Sequence, residues 1–210
     1  MTISFALKMK QTLIICLLIG SIHSANAQSA NNNAIYSTSG LSFGNYMGGE
    51  VNLNYVYREK YSYRVGYSDY LRKPKSQPVD YSSGLAKAII FGTENPHDQI
   101  ENYQIAVGGI YKLNETGTIR ANLSIGIGYT IIKEPENWQK VEGTSLVAEN
   151  YTWDYHRQNT VSLIINPQIE FPFTNIYGLT ISPMLQLNKD RNYVGIGIGQ
   201  MIGILRKRTE

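Results

Sequence analysis

The chain has 210 residues, of which 42% are hydrophobic and only 17% are charged, and its formal net charge is +3. This balance excludes a nucleic-acid binder that relies on a strongly basic surface. The single Cys excludes a disulfide scaffold and a Cys-rich zinc site, and the apolar content excludes a disordered chain. The 16 Tyr and 19 Gly favour β structure.

The N-terminal segment has the pattern of a secretory signal peptide. Two lysines precede the apolar run 13–22, and an Ala-Asn-Ala sequence ends at Ala27. A basic start, a short apolar centre and small residues at the end are typical of a cleaved signal. An uncleaved membrane anchor is the alternative, but the run is shorter than the ~20 residues that a spanning helix needs. We therefore predict that 1–27 is a signal peptide and that 28–210 forms one domain.

Alternation of apolar and polar residues with a period of two dominates the rest of the chain. The alternation is clearest over 118–132, and it separates two faces as a strand does. A bilayer-crossing tilted strand needs about 9 to 11 residues, and these segments are long enough for that. The pattern predicts eight strands, at 33–44, 50–58, 61–72, 102–113, 118–132, 161–171, 177–188 and 192–205.

The connections between these segments alternate between short and long. Short connections are predicted at 59–60, 114–117 and 174–175, whereas 73–101 and 133–150 are long. Outer-membrane barrels show this asymmetry, with short periplasmic turns and longer loops outside the cell.

The polar faces are rich in Gly, Ser, Thr and Asn, which suit a small barrel lumen better than a wet exterior. The alternating glycines of 195–199 fit the same interpretation, because they keep the lumen face small. Charges inside a closed lumen must be paired. Six charged residues are predicted to form this lumen network: Glu50, Arg58, Arg64, Lys112, Arg120 and Glu170.

Aromatic residues collect near the predicted strand ends, while the strand middles are mostly Ile, Leu and Val. Two aromatic girdles around an aliphatic belt are typical of a bilayer-spanning barrel, although Tyr is also common in soluble β proteins. The predicted girdle residues are Tyr57, Tyr63, Tyr111 and Tyr177 at the periplasmic ends, and Tyr67, Tyr103, Tyr129, Trp153 and Tyr193 at the outer ends.

With these patterns, the chain resembles the small outer-membrane β-barrel proteins of Gram-negative bacteria, of the OmpA/OmpX-like shape, and its 25–28 cleavage region is similar to that of Bacteroidetes barrels. The resemblance implies an all-β, eight-stranded antiparallel up-and-down transmembrane barrel in the cell outer membrane. It also implies contact with outer-membrane lipid and with the barrel assembly machinery. It implies no cofactor, metal or catalytic residue. The chain departs from the family in its charged tail 206–210 and in Gln200, which falls on the otherwise apolar face.

The lumen of an eight-stranded barrel is filled by side chains, which argues against a general diffusion pore. We therefore predict a protein that is not an enzyme and that presents the loops 73–101 and 133–150 for surface interaction or envelope integrity. One alternative is a secreted soluble carrier of a small apolar ligand, as lipocalins are, with the aliphatic face turned inward. The other is a lipid-modifying barrel enzyme that uses His156. Ser162 is six residues from that histidine, which is roughly 20 Å along a strand.

Overall fold

The computed structural model describes residues 32–83, 95–142 and 148–205. The predicted signal peptide and the charged C-terminal tail lie outside these ranges. Eight strands form where the alternation predicts them. Their bounds are β1 (Ala34–Gly44), β2 (Met47–Tyr57), β3 (Tyr61–Arg72), β4 (Asp98–Lys112), β5 (Arg120–Lys140), β6 (Tyr151–Phe171), β7 (Tyr177–Leu187) and β8 (Tyr193–Ile204).

Each strand pairs antiparallel with the next, and β8 pairs with β1, so the sheet closes into a barrel. The predicted eight-stranded antiparallel up-and-down barrel is confirmed. The turns 58–60, 113–119 and 172–176 lie at the same end as both chain termini of the barrel, which we call the short-turn end. The opposite end is the loop end. Among the described residues, no helix is long and apolar enough to cross a bilayer.

Two strands are much longer than the sequence predicts. β5 continues to Lys140 and β6 begins at Tyr151, so most of the predicted loop 133–150 is strand. The alternation fades there because the paired segment continues beyond the filled lumen, where residues 154–157 are exposed on both faces. A bulge between Glu136 and Gln139 also shifts the register, with Asn137 at a φ of 55°. We call the paired segments 133–140 and 151–157 the arm.

The aliphatic faces of the strands point outward. Ile125, Leu163 and Ile196 are 52%, 41% and 49% exposed, whereas Ser162 is completely buried inside. A carrier of apolar ligands would need the reverse orientation. The soluble-carrier alternative is therefore wrong.

Two prolines interrupt the ladder between β6 and β7. Pairing runs from Leu163 to Ile165 and resumes at Ile169, and the outward-facing Pro167 and Pro183 lie in the gap. Proline has no N–H to donate to a ladder. The Asn166 side chain compensates, since its Nδ2 donates to the carbonyl oxygen of Pro183 at 3.1 Å.

The lumen leaves no room for a side chain at Gly66. A Cβ there would overlap Asn52 Oδ1, which accepts a hydrogen bond from Gln104 Nε2 at 2.9 Å. We expect Gly66→Ala to lower the free energy of unfolding by about 1 to 3 kcal/mol, because overpacking forces this pair apart. Urea titration of the folded barrel measures the change.

Gly49 is the matched control because it faces outward and the nearest atom to its Cβ would be 3.4 Å away. Gly49→Ala is expected to change the free energy of unfolding by no more than about 0.5 kcal/mol. An equal loss at both positions would show that lumen crowding is not the cause.

Candidate functional site

Apolar clusters close the lumen at each end. The cluster at the short-turn end contains Ala34, Tyr36, Val56, Ile110, Met201 and Leu205. The cluster at the loop end contains Tyr46, Tyr70, Ile100, Ile164, Met184 and Tyr193. Polar side chains fill the space between the two clusters, so the described side chains occupy the lumen along its length.

One buried ion pair joins neighbouring strands near the short-turn end. Arg120 Nε lies 2.5 Å from Glu170 Oε2, and the two side chains are 7% and 0% exposed. The other carboxylate oxygen accepts hydrogen bonds from the Tyr36 hydroxyl at 2.8 Å and from Asn122 Nδ2 at 3.1 Å. Arg120 also donates to the Leu205 carbonyl at 2.9 Å. The carboxylate thus has three partners in a space that water does not reach.

Arg64 crosses the lumen without a carboxylate partner. Its Nε donates to Asn54 Oδ1 at 2.9 Å, and its Nη2 donates to Gln168 Oε1 on β6 at 2.6 Å. Its Nη1 donates to Asn166 Oδ1. Glu50 is also buried, but it forms no ion pair with any residue of the described ranges. Of the four buried members of the predicted network, only Arg120 and Glu170 are paired.

Two members of the predicted lumen network lie outside the lumen, and the prediction was wrong for them. Arg58 is exposed in the turn after β2, where its φ of 51° ends the alternation, and it stacks 5.0 Å from the Tyr57 ring centre. Lys112 is the last residue of β4, where its side chain can leave the barrel. It forms an exposed ion pair of 2.7 Å with Glu59 in the turn.

Three tyrosines form a row on the outer surface at the loop end. Tyr67, Tyr103 and Tyr129 are paired in register on β3, β4 and β5 and are 36%, 53% and 50% exposed. The first two rings are 5.1 Å apart. Amphipathic rings of this kind favour the boundary between hydrocarbon and water.

Directly beyond these tyrosines, toward the loop end, the outward-facing residues are charged or polar. We call Asp69, Gln99, Glu101 and Lys133 the charged row. Asp69 pairs with Glu101 in register, and Gln99 Nε2 donates to Asp69 Oδ1 at 2.8 Å. Lys133 on β5 forms an ion pair with Glu101. Such a step from aromatic to charged residues marks where hydrocarbon ends.

Exposed aromatic residues also lie at the short-turn end. The outward face of β6 is apolar from Val161 to Phe171, which is roughly 33 Å along the strand. At a tilt of about 45° that distance spans roughly 23 Å, close to the ~25 Å apolar band of membrane barrels. The exposed tyrosines at this end are Tyr57, Tyr61, Tyr63, Tyr111 and Tyr177.

The chain is a membrane-spanning β-barrel. Its outward-facing band between the two aromatic boundaries, which we call the belt, carries at least one exposed Ile, Leu or Val on every strand. A protein surrounded by water rarely exposes an apolar surface of this extent. Hydrocarbon contact removes that cost.

Two residues predicted for the girdle lie elsewhere, and the prediction was wrong for them. Tyr193 is fully buried in the lumen and stacks on Tyr70 at 4.0 Å, because it alternates with the outward-facing Val194. Trp153 lies on the arm, beyond the charged row, with its ring centre 5.6 Å from that of Trp138. The arm is longer than predicted, which places this tryptophan beyond the boundary.

An aromatic cluster fastens the β3–β4 loop to the arm. The Tyr81 ring packs edge-on against Trp138 at 5.6 Å and against Trp153 at 6.2 Å. Tyr151 completes the cluster, 6.3 Å from Trp138. In addition, Trp138 Nε1 donates to Ser76 Oγ at 3.1 Å. Residues 76–81 of the loop and the arm therefore form one folded unit beyond the belt.

Asp80 adds polar contacts between the same two segments. Its carboxylate accepts hydrogen bonds from Lys140 Nζ and from the Tyr151 hydroxyl, each at 2.7 Å. Its carbonyl oxygen accepts from Asn150 Nδ2 at 2.7 Å. The Lys140 and Tyr151 hydrogen bonds hold the pKa of the Asp80 carboxyl below its ordinary value of 3.8.

Because this pKa is lowered in the folded state, the contact stabilises the arm above the ordinary pKa and is lost as the pH falls through the folded-state pKa. Both tryptophans of the chain, Trp138 and Trp153, lie in the adjoining cluster, so their fluorescence reports on it. We expect constant emission from pH 7 to about 4 and a change below that. The Asp80→Asn variant should lose this transition. An identical transition in the variant would assign it to another group.

The residues considered for a lipid-modifying enzyme are not brought together. His156 lies on the arm with its Nδ1 3.8 Å from Glu136 Oε1, and both side chains are about half exposed. Ser162 is fully buried in the lumen, where its hydroxyl is 2.6 Å from that of Thr130 and accepts from Gln186 Nε2 at 3.0 Å. No group of three metal-ligating side chains occurs in the described ranges.

No family model matches the chain, and no curated protein matches it. Solved structures do. The attachment invasion locus protein Ail of Yersinia pestis is 11% identical, with 83% of this chain and 99% of that chain covered and a TM-score of 0.49. The N-terminal β-barrel domain of Pseudomonas aeruginosa OprF is 12% identical, with 83% and 98% covered and a TM-score of 0.45. Neisserial surface protein A is 10% identical, with 81% and 95% covered and a TM-score of 0.46.

Proposed function

We propose that this protein is an outer-membrane barrel with a filled lumen that presents the arm and the β3–β4 loop outside the cell. The observation that carries the proposal is the arm itself. It extends β5 and β6 beyond the charged row, and the aromatic cluster and Asp80 fasten a loop to it. A structured projection on a sealed barrel suits recognition better than transport.

The same proposal covers the route to the membrane. Cleavage before Gln28 would release the chain into the periplasm, and the barrel assembly machinery would insert it with the short-turn end facing the periplasm. The proposed role is not catalytic, and the separation of the buried Ser162 from the exposed His156 supports this part of the proposal. Surface interaction needs no cofactor.

Thiol labelling of intact cells tests the location and the orientation. Tyr155→Cys places a thiol on the exposed arm, and Lys112→Cys places one at the short-turn end, both in a Cys16→Ser background. A membrane-impermeant maleimide should label the first variant in intact cells and the second only after permeabilisation. The reverse pattern would overturn the orientation, and equal labelling without permeabilisation would overturn the outer-membrane location.

A trimmed barrel separates presentation from envelope integrity. Glu134 pairs with His156 across the base of the arm, so 135–155 can be replaced by an Asn-Gly turn. The trimmed chain should restore detergent resistance to a deletion strain as well as the intact chain does, if the barrel alone supports the envelope. If the arm has a presentation role, the deletion strain should attach to surfaces less well than the parent strain. The intact chain should correct this defect, and the trimmed chain should not. If the trimmed chain corrects every phenotype of the deletion strain, the arm has no presentation role.

A further inference from the structure

The belt contains polar side chains other than tyrosine at one place among the described strands. Ser37 and Ser39 on β1 and Gln200 on β8 face outward there, among Ile, Leu and Val neighbours. The nearby outward position on β2 is Gly49, which has no side chain. We call these four residues the seam patch.

The register places the seam patch inside the hydrocarbon. Ser39 is the middle residue of β1 (Ala34–Gly44), so it lies near the centre of the bilayer. Gln200 on β8 pairs with it in register. The outward residues that flank this pair in the sheet, Val51 on β2 and Leu179 on β7, are both aliphatic.

The small residues of the seam patch leave a groove in the outer surface. The groove has a volume of about 830 Å³. Ser39, Gly49 and Gln200 line it together with the aliphatic Leu41, Leu179 and Ile198. Small residues allow two membrane-embedded surfaces to approach closely.

Gln200 has more hydrogen-bonding capacity than its surroundings use. Its Nε2 donates to Ser39 Oγ at 3.3 Å, and its side chain has no other hydrogen bond with the described residues. A carboxamide has two N–H donors and an oxygen with two lone pairs. Lipid chains offer no hydrogen-bond partner to its second N–H or to its oxygen. A second carboxamide is complementary to it, because the N–H of each can donate to the oxygen of the other.

We propose that the seam patch is the lateral interface through which two copies of this protein associate in the membrane. The two-fold axis lies parallel to the membrane normal, so both copies cross the bilayer in the same direction and present the same surface to each other. Gln200 of one copy bonds to Gln200 of the other, and aliphatic residues beside the patch enter the facing groove. A lipid chain in the groove would leave the carboxamide unpaired.

Oxidative cross-linking in native membranes tests the interface. Ser39→Cys in a Cys16→Ser background should give a disulfide-linked dimer with copper phenanthroline, because the position lies beside the axis. The control is Ile125→Cys, which also faces lipid and is more exposed than Ser39, but lies on β5 on the far side of the barrel. We expect at least ten times more dimer from Ser39→Cys. Equal yields, or no dimer from Ser39→Cys, would overturn the proposal.

A second variant separates the carboxamide pairing from chance collision. Gln200→Leu suits the hydrocarbon and should leave the folded band on a heat-modifiability gel unchanged. Combined with Ser39→Cys, it should lower the cross-linked fraction at least ten-fold, and Gln200→Asn should restore part of it. Native mass spectrometry of the wild-type barrel should show dimers. An unchanged cross-linked fraction, or a monomer that retains a lipid, would contradict the interface.

Discussion

Glu170→Leu is expected to destabilise the barrel by roughly 3 to 5 kcal/mol, because it leaves the Arg120 guanidinium buried without its carboxylate. The Tyr36 hydroxyl and Asn122 amide would lose their acceptor as well. Urea unfolding of the barrel in lipid vesicles, followed by heat-modifiable migration, measures the loss.

The control for this change is the exposed pair at the same end of the barrel. Glu59→Leu breaks the ion pair with Lys112, in which the Glu59 and Lys112 side chains are 33% and 53% exposed. It should lower the free energy of unfolding by at most about 1 kcal/mol. The double variant with Arg120→Met and Glu170→Leu should recover much of the stability, since neither charge is then buried alone. A double variant no more stable than Glu170→Leu alone would show that the loss came from packing.

Ile125→Arg is expected to lower the free energy of unfolding by about 2 to 4 kcal/mol in a bilayer, because a charge on the lipid-facing surface near the midplane is costly. Tyr155→Arg, at a similarly exposed position on the arm, should cost at most about 1 kcal/mol. Parallel urea titrations in vesicles compare the two variants. Equal, small effects would mean that the outer surface is wet and would contradict the membrane assignment.

The barrel itself could be predicted from the sequence, because a strand with lipid on one side and a packed lumen on the other must alternate strictly. The arm could not. Neither lipid nor a packed lumen fixes the character of its two faces, so the alternation carries no information there, and the bulge at Asn137 shifts the register. The position of Tyr193 was readable from its alternation with Val194, but its aromatic character suggested the boundary instead.

One sequence could not predict which side chains pair with each other inside the lumen. Alternation places Arg64 and Arg120 on the inner face, but it does not give the stagger between strands that decides which carboxylate each one meets. The register sets Arg120 directly opposite Glu170 on β6. It brings Arg64 to amide oxygens, including that of Gln168, instead of to Glu50. Both outcomes depend on pairing between segments far apart in the chain.

The proline gap between β6 and β7 makes the barrel wall uneven in strength. Six residue pairs join these strands, against ten between β7 and β8. Thermal breathing should therefore concentrate at this junction, where amide protons near Ile169 would exchange with solvent sooner than those of β1. We therefore expect the barrel to open first between β6 and β7, next to the arm.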